Sequence, residues 1–239
     1  MKKVVKRILD GVAIASDYVE KRKKSVSSKS RNLHFVLWER AVLSSAIFVE
    51  ENLQDALVFK TRKEIHLYTV KLLNQESEVG IGLEFGVFRG RTINLFSGML
   101  PKYRFFGFDS FVGLKEDWAG HSLPRGSFSQ GGVLPRVNSN VELLQGWFDE
   151  TLPVFVTENE IKDVRFIHID GDTYEAAKVV LDTLASQLKP GTLILFDEYL
   201  GYPNWKNGEH KALIEAKEKF GLRIKYRAFT TYQSLVEIL

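Results

Sequence analysis

Leu83-Glu84-Phe85-Gly86-Val87-Phe88-Arg89-Gly90-Arg91-Thr92 is the stretch on which the reading of this chain turns. A short apolar run, Val79 to Leu83, leads into it, and an apolar-patterned segment, Ile93 to Leu100, leads out. The order is strand, tight turn, helix. Glycine lets a ligand approach backbone that a Cβ would obstruct. The turn also aims a helix N-terminus at that ligand. Glu84 suits a cation or a hydroxyl better than a phosphate. The spacing is G-x-x-x-G and not the G-x-G-x-x-G dinucleotide fingerprint, which disfavours a nicotinamide cofactor. A site for a charged or hydroxylated small molecule is expected here.

Downstream of this turn, short apolar runs alternate with helical segments. The expected strands are Val79–Phe85, Arg104–Phe108, Val141–Leu144, Val164–Ile169, Thr192–Phe196, Arg223–Ala228 and Ser234–Ile238. The expected helices are Arg91–Met99, Glu150–Thr157, Thr173–Gln187 and His210–Phe220. Lys189-Pro190-Gly191 is a stop signal between helix and strand. Alternation of this kind predicts an α/β fold, with a seven-stranded, mostly parallel sheet and helices on both faces. No helix fits between the last two strands, so they form an antiparallel hairpin around Thr230-Thr231-Tyr232-Gln233. Gly113–Asn140 is rich in Gly, Ser and Pro without periodicity. Long loops in compact domains are usually functional or disordered, and its Trp118 and Phe128 favour a lid over a plain surface insertion.

Upstream, residues 1–20 and Phe35–Leu73 have helical apolar spacing, with a charged, Ser-rich connector at 21–33. The chain therefore divides into a helical extension or lid at 1–75 and a ligand-binding domain at 76–239. At 239 residues, 44% hydrophobic and 26% charged, it can bury a real core. It has no cysteine, which excludes disulfides and thiolate metal sites. The net charge is +3, with basic residues clustered near the start (Lys2 to Arg7, Lys21 to Lys24) and no interleaved aromatics, so neither nucleic acid nor membrane is an expected partner. No signal peptide or spanning segment is visible, and a cytoplasmic location is expected. The amphipathic N-terminal helices pack either on a twin subunit, giving a homo-oligomer such as a dimer, or on their own domain.

In an open α/β sheet, ligands bind beyond the carboxyl ends of the strands. Those ends here are polar and mostly acidic. They read Glu84 and Gly86; Phe108-Asp109-Ser110; Gln145-Gly146-Trp147; His168-Ile169-Asp170-Gly171-Asp172; and Asp197-Glu198-Tyr199. Fold stability does not require such an edge; a ligand site does. Asp109 has the position of an acid that accepts ribose hydroxyls, or of a turn residue before Phe111. Asp170, Asp197 and Glu198 repel one another unless a cation lies between them, and a hard divalent ion with oxygen ligands is the natural one. The competing reading has Asp197 and Glu198 capping the next segment and pairing with Lys206 or Lys211. Asp172 competes with Asp170 for the pocket. His168 reads as a core histidine first and a base second. Trp147 is a packing residue or an adenine platform. Tyr202-Pro203-Asn204-Trp205 either lines the pocket or packs as a loop.

Five ordered blocks, LEFGVFRGRT, FFGFDSFVGL, GWFDETLP, FIHIDGDTYE and PGTLILFDEYLGYPNW, cover about residues 80–205. Together they resemble the class I S-adenosylmethionine-dependent methyltransferases, and within them the macrocin-type sugar O-methyltransferases of macrolide biosynthesis. The resemblance implies a Rossmann-like fold and S-adenosylmethionine as cofactor. It implies Glu84, Gly86, Phe88, Gly90 and Thr92 against the methionine part of the cofactor, and Asp109 with Ser110 at the ribose. Gly146 and Trp147 fall beside the adenine, and Asp170 beside the reacting end. Magnesium is implied at Asp170, Asp197 and Glu198, with Asp170 as base and His168 behind it. The implied partner is a small hydroxylated acceptor, a sugar or glycosylated natural product. Two positions depart from the pattern. Glu198 stands where Asp or Asn is usual, which puts the metal in question. Thr173 stands where the catechol-type enzymes carry a lysine base. The alternatives are a metal-independent methyltransferase for another acceptor and an inactive cofactor-binding homologue.

Overall fold

A computed structural model describes residues 32–75, 79–158 and 163–239. The expected helix at residues 1–20 and nearly all of the 21–33 connector lie outside the described residues. The chain divides into two compact units, residues 1–40 and 41–239. Only residues 32–40 of the first are described, the opening turns of helix α1 (Leu33–Asn52), where His34 packs edge-on against Phe35. The second unit holds the sheet and everything below.

Its elements follow in order: β1 (Leu57–Val58), α2 (Arg62–Gln75), β2 (Ile81–Phe85), α3 (Arg91–Met99), β3 (Arg104–Asp109), β4 (Val141–Gln145), α4 (Phe148–Glu158), β5 (Val164–Ile169), α5 (Tyr174–Leu184), β6 (Leu193–Phe196), α6 (Glu209–Phe220), β7 (Ile224–Phe229) and β8 (Ser234–Ile238). The strand order is β1-β7-β8-β6-β5-β2-β3-β4. All neighbours are parallel except β8, which runs against both β6 and β7. The seven expected strands are all present. The two-residue β1 adds an eighth at one edge, too short for any period to reveal.

The central strands are apolar almost without a break, as strands covered on both faces must be. Leu193 to Phe196 are all buried, and so are Phe105, Phe106 and Phe108. The helices supply the covering stripes. In α5, Ala177, Val180, Leu181 and Leu184 are buried at i, i+3, i+4 and i+7. Each fully buried Val or Leu there contributes about 1.5–3 kcal/mol. The Thr173 side chain caps this helix, accepting from the Ala176 N–H at 3.2 Å.

Topology places the site. The chain runs from β2 through β3 and β4 to one edge, then returns to β5 on the other side of β2. The order therefore reverses between β2 and β5, and such a switch point opens a crevice at the carboxyl ends of the strands. Among the described residues, no helix is long and apolar enough to cross a membrane.

Candidate active site

A cavity of about 790 Å³ opens at this switch point. The glycine turn forms part of its lining. Asp170 donates its backbone N–H to Phe85 O at 2.8 Å, and Gly86 donates to Phe108 O at 2.9 Å, so three strand ends are drawn together. Gly86 has φ +97°, and a Cβ there would overlap the Asp170 carbonyl oxygen. Only glycine fits both demands. Asp109 then fastens the turn: its Oδ2 accepts from the Val87 and Phe88 N–H groups at 2.9 and 2.7 Å, and its Oδ1 accepts from Phe111 at 2.7 Å. A carboxylate offers about four acceptor sites, so room remains on Asp109 for a ligand hydroxyl.

The long loop between β3 and β4 forms one wall. Leu114, Lys115, Glu116, Trp118, His121, Leu123 and Phe128 line the cavity. Backbone bonds hold this loop, including Leu114 to Ser127 at 3.0 Å and Gln130 to Phe111 at 3.0 Å. Asn138 ties its far end to α3 through Asn94 and Ser97. Trp118 stacks on His121, with ring centroids 4.2 Å apart. Thr173, at the catechol-type lysine position, donates its hydroxyl to Glu116 at 2.6 Å and so joins the loop to α5.

Of the residues expected to bind the cofactor, Gly86, Phe88, Thr92, Asp109, Ser110, Trp147 and Asp170 line the cavity. Glu84, Gly90 and Gly146 do not. Gly90 closes the turn, donating to Val87 O at 2.8 Å with φ +73°. Gly146 sits behind Trp147 at φ +146°. Glu84 lies below the cavity floor, buried, with Oε2 3.1 Å from His168 Nδ1. Burial pushes the Glu84 carboxyl well up, opposed by the Ile93 N–H at the start of α3, and pushes His168 down to about 4. Burial thus favours the uncharged form of both. His168 is therefore a core residue under the site and does not line the cavity, and neither does the Tyr202–Trp205 segment.

Beside the turn, after β5 and β6, lie the carboxylates, where the structure departs from the expected trio. Asp170, Asp172 and Glu198 bring oxygens within 4.8 Å of one another. Asp197 is not in that group. Its side chain is fully buried on the other side, 3.7 Å from His168 Nε2 and 3.4 Å from Gln233 Nε2, and paired with Arg62. Neighbouring residues on extended backbone point to opposite faces, so Asp197 and Glu198 diverge. Neither pairs with Lys206 or Lys211; both meet Arg62 instead, Glu198 at 3.7 Å. Burial, then neighbouring carboxylates, raises the affinity of Glu198 and Asp172 for protons. Burial also raises Asp170, with His168 opposing.

Sequence reasoning missed Arg62. A signal did exist: Thr61-x-x-Glu64 is a capping box, which starts α2 and makes Arg62 its first residue. Nothing local pointed that arginine at residues 135 or more positions away.

Beneath the site, His66 on α2 is buried beside His168, with rings 5.9 Å apart. Burial lowers its pKa from 6.5 to about 3. The unfolded chain then binds the extra proton below pH 6.5 and the folded chain does not, so stability falls as pH drops through that window. Thermal melts of wild type and His66→Phe are expected to diverge in slope between about pH 6.5 and 5, with the variant flatter. Parallel slopes would remove His66 from this account.

Comparison with known proteins bears on these residues directly. A family model described as "Methyltransferase domain" matches residues 83–199, the span from the glycine turn through the carboxylate cluster. The chain carries a methyltransferase domain. A curated relative from Streptomyces olivaceus, 8-demethyl-8-(2,3-dimethoxy-alpha-L-rhamnosyl)-tetracenomycin-C 4'-O-methyltransferase, is 27% identical over 157 residues. That match spans 55% of this chain and 58% of the relative's length. Among solved structures, the calicheamicin methyltransferase CalS11 superposes with a TM-score of 0.58 at 22% identity, over 90% of this chain and 92% of its own. The O-methyltransferase NovP gives a TM-score of 0.59 at 23% identity, over 74% and 78%. Both show the fold of the methyltransferase domain.

Proposed function

We propose that this chain is an S-adenosylmethionine-dependent O-methyltransferase acting on a hydroxyl of a small molecule, a sugar or a glycosylated natural product. The observation that carries the reading is a cavity lined by two chemically unlike groups. A glycine turn fastened by Asp109 and a neighbouring group of three carboxylates both belong to its lining, inside the residues that match the methyltransferase domain. The cavity's size is in the range for a cofactor with part of an acceptor. The relative's rhamnose O-methylation and the rhamnosyl acceptor in its name support the acceptor class.

S-adenosylmethionine, when bound, supplies a methyl group on a sulfonium; its transfer to a hydroxyl oxygen breaks the carbon–sulfur bond and leaves a thioether and one proton. The protein's residues do the rest. Thr92, in the first turn of α3, faces the amino-acid end. Asp109 takes a ribose hydroxyl, and Trp147 flanks the adenine. The half-buried Asp170–Asp172 pair receives the proton, and loss of solvent has already raised its affinity for one. Coupled carboxylates titrate as a unit, so the pair is the base. Holding the oxygen in line with the methyl carbon supplies most of the remaining acceleration.

Hard oxygen donors on Asp170, Asp172 and Glu198 fit a divalent ion such as magnesium. When bound, such an ion lowers the pKa of a hydroxyl beside it. A second reading, transfer without metal, is favoured by Arg62, which already brings positive charge to the same carboxylates. Chelator separates the two. Loss of turnover that magnesium restores supports the metal, and full turnover in chelator removes it.

Asp109→Ala tests the cofactor end. Calorimetry with S-adenosylhomocysteine is expected to show affinity about 10- to 100-fold lower, the scale of losing a hydrogen bond to a charged group. Unchanged affinity rejects the ribose role.

A further inference from the structure

Beneath the cavity floor, polar side chains meet where the fold calls for apolar ones. Arg62 and His66 lie one turn apart on α2 and so share a face. That face meets His168 on β5 and Asp197 just past β6. His66, His168 and Asp197 are each more than nine-tenths buried. Each brings one donor atom within 4.8 Å of the other two. The two imidazole rings stand edge to face, with planes 76° apart and centroids 5.9 Å apart. Phe96 packs against both, so the surroundings suit an apolar residue. Yet among the described residues neither Nε2 has a hydrogen-bond partner. An unpaired buried nitrogen is costly, and native structures rarely keep one without a reason.

We propose that His66, His168 and Asp197 form a metal site for a divalent transition ion such as Zn2+, separate from the carboxylate group in the cavity. Two imidazoles and a carboxylate are donors that such ions favour, whereas an all-oxygen group suits magnesium. His168 is already oriented for the task. Its Nδ1 lies 3.1 Å from Glu84 Oε2, which leaves Nε2 as the donor to the ion. A carboxylate behind a ligating histidine is the usual support, because it fixes the tautomer and the ring direction. Asp197 Oδ1 lies 3.7 Å from His168 Nε2, while Arg62 meets Oδ2. Donors around a tetrahedral Zn2+ with bonds of about 2.0 Å stand roughly 3.3 Å apart, so small side-chain rotations close the site. Water fills the fourth position. The ion enters past Arg62, which is half exposed on the wall of a second cavity of about 240 Å³. Once bound, it ties α2 to β5 and to the end of β6. The inference stands apart from the methyltransferase reading.

Calorimetric titration of the chelator-stripped whole chain with Zn2+ tests it. Wild type is expected to bind one equivalent with a dissociation constant of about 1 μM or lower. At a free concentration about a hundred times that constant, its melting midpoint is expected to rise by about 5 °C or more. His66→Phe is expected to weaken the binding at least about a hundredfold, and Glu84→Gln, which removes only the support behind His168, about tenfold. Asp170→Asn is expected to leave it within about threefold. Retention in His66→Phe, or loss in Asp170→Asn, puts the ion elsewhere and overturns the proposal. Failure of wild type to bind Zn2+ overturns it too, and makes a buried water the partner of the two nitrogens. If the core variants do not fold, X-ray absorption on wild type carrying one equivalent of Zn2+ decides. Two imidazoles in the ion's shell are expected, and an all-oxygen shell overturns the proposal.

Discussion

Gly86→Ala is expected to abolish measurable S-adenosylhomocysteine binding, a loss of at least about a hundredfold, and to lower the melting midpoint by roughly 5–10 °C. Two costs combine. A non-glycine residue with φ near +97° is strained, at about 1–2 kcal/mol. The added methyl also overlaps the Asp170 carbonyl oxygen, so the chain just past β2 and the chain just past β5 must separate. Separation moves Asp170 and loosens the turn that Asp109 holds through Val87 and Phe88. Calorimetry and a thermal melt check both parts. A variant that melts low yet binds normally would show that the turn serves only the fold.

Asp172→Asn is expected to lower kcat by about a thousandfold, within the range for removing a general base, while affinity for S-adenosylhomocysteine stays within about threefold of wild type. The substitution is clean for a structural reason. Asp172 has φ 65°, and asparagine tolerates this left-handed region as aspartate does. Fold and charge are thereby separated. Release of S-adenosylhomocysteine with a rhamnosylated acceptor gives the rate. In wild type the rate falls as pH drops and the pair takes up its proton, with a midpoint above the ordinary carboxylate range because burial raises it. A kcat within threefold of wild type removes Asp172 from the proton path.

How far the site was legible follows from strand geometry. Gly86, Asp109, Trp147, Asp170 and Glu198 each end or follow an apolar run, and a parallel sheet gathers such ends at one edge. A scan for polar residues there finds them. The same scan fails for Asp197 because it ignores the direction of side chains. In the sheet, Glu84 pairs with His168 and His168 with Leu195, two residues before Asp197. Glu84, His168 and Asp197 thus share the face covered by α2 and form a buried polar layer beneath the cavity. Glu84 drew attention for its place before the glycines, but its side chain had already turned into that layer.

By itself, the sequence determined the alternation of strands and helices, the hairpin of β7 and β8, the glycine turn and the acidic edge. Each is written in local periodicity or in a residue that only one backbone shape accepts. Tertiary structure decided which carboxylates meet. Asp172 joined Asp170 and Glu198, Asp197 turned away, and Arg62 arrived from a helix far back in the chain. Charges that lie far apart along the chain carry no local signature, and folding alone decides which of them come together.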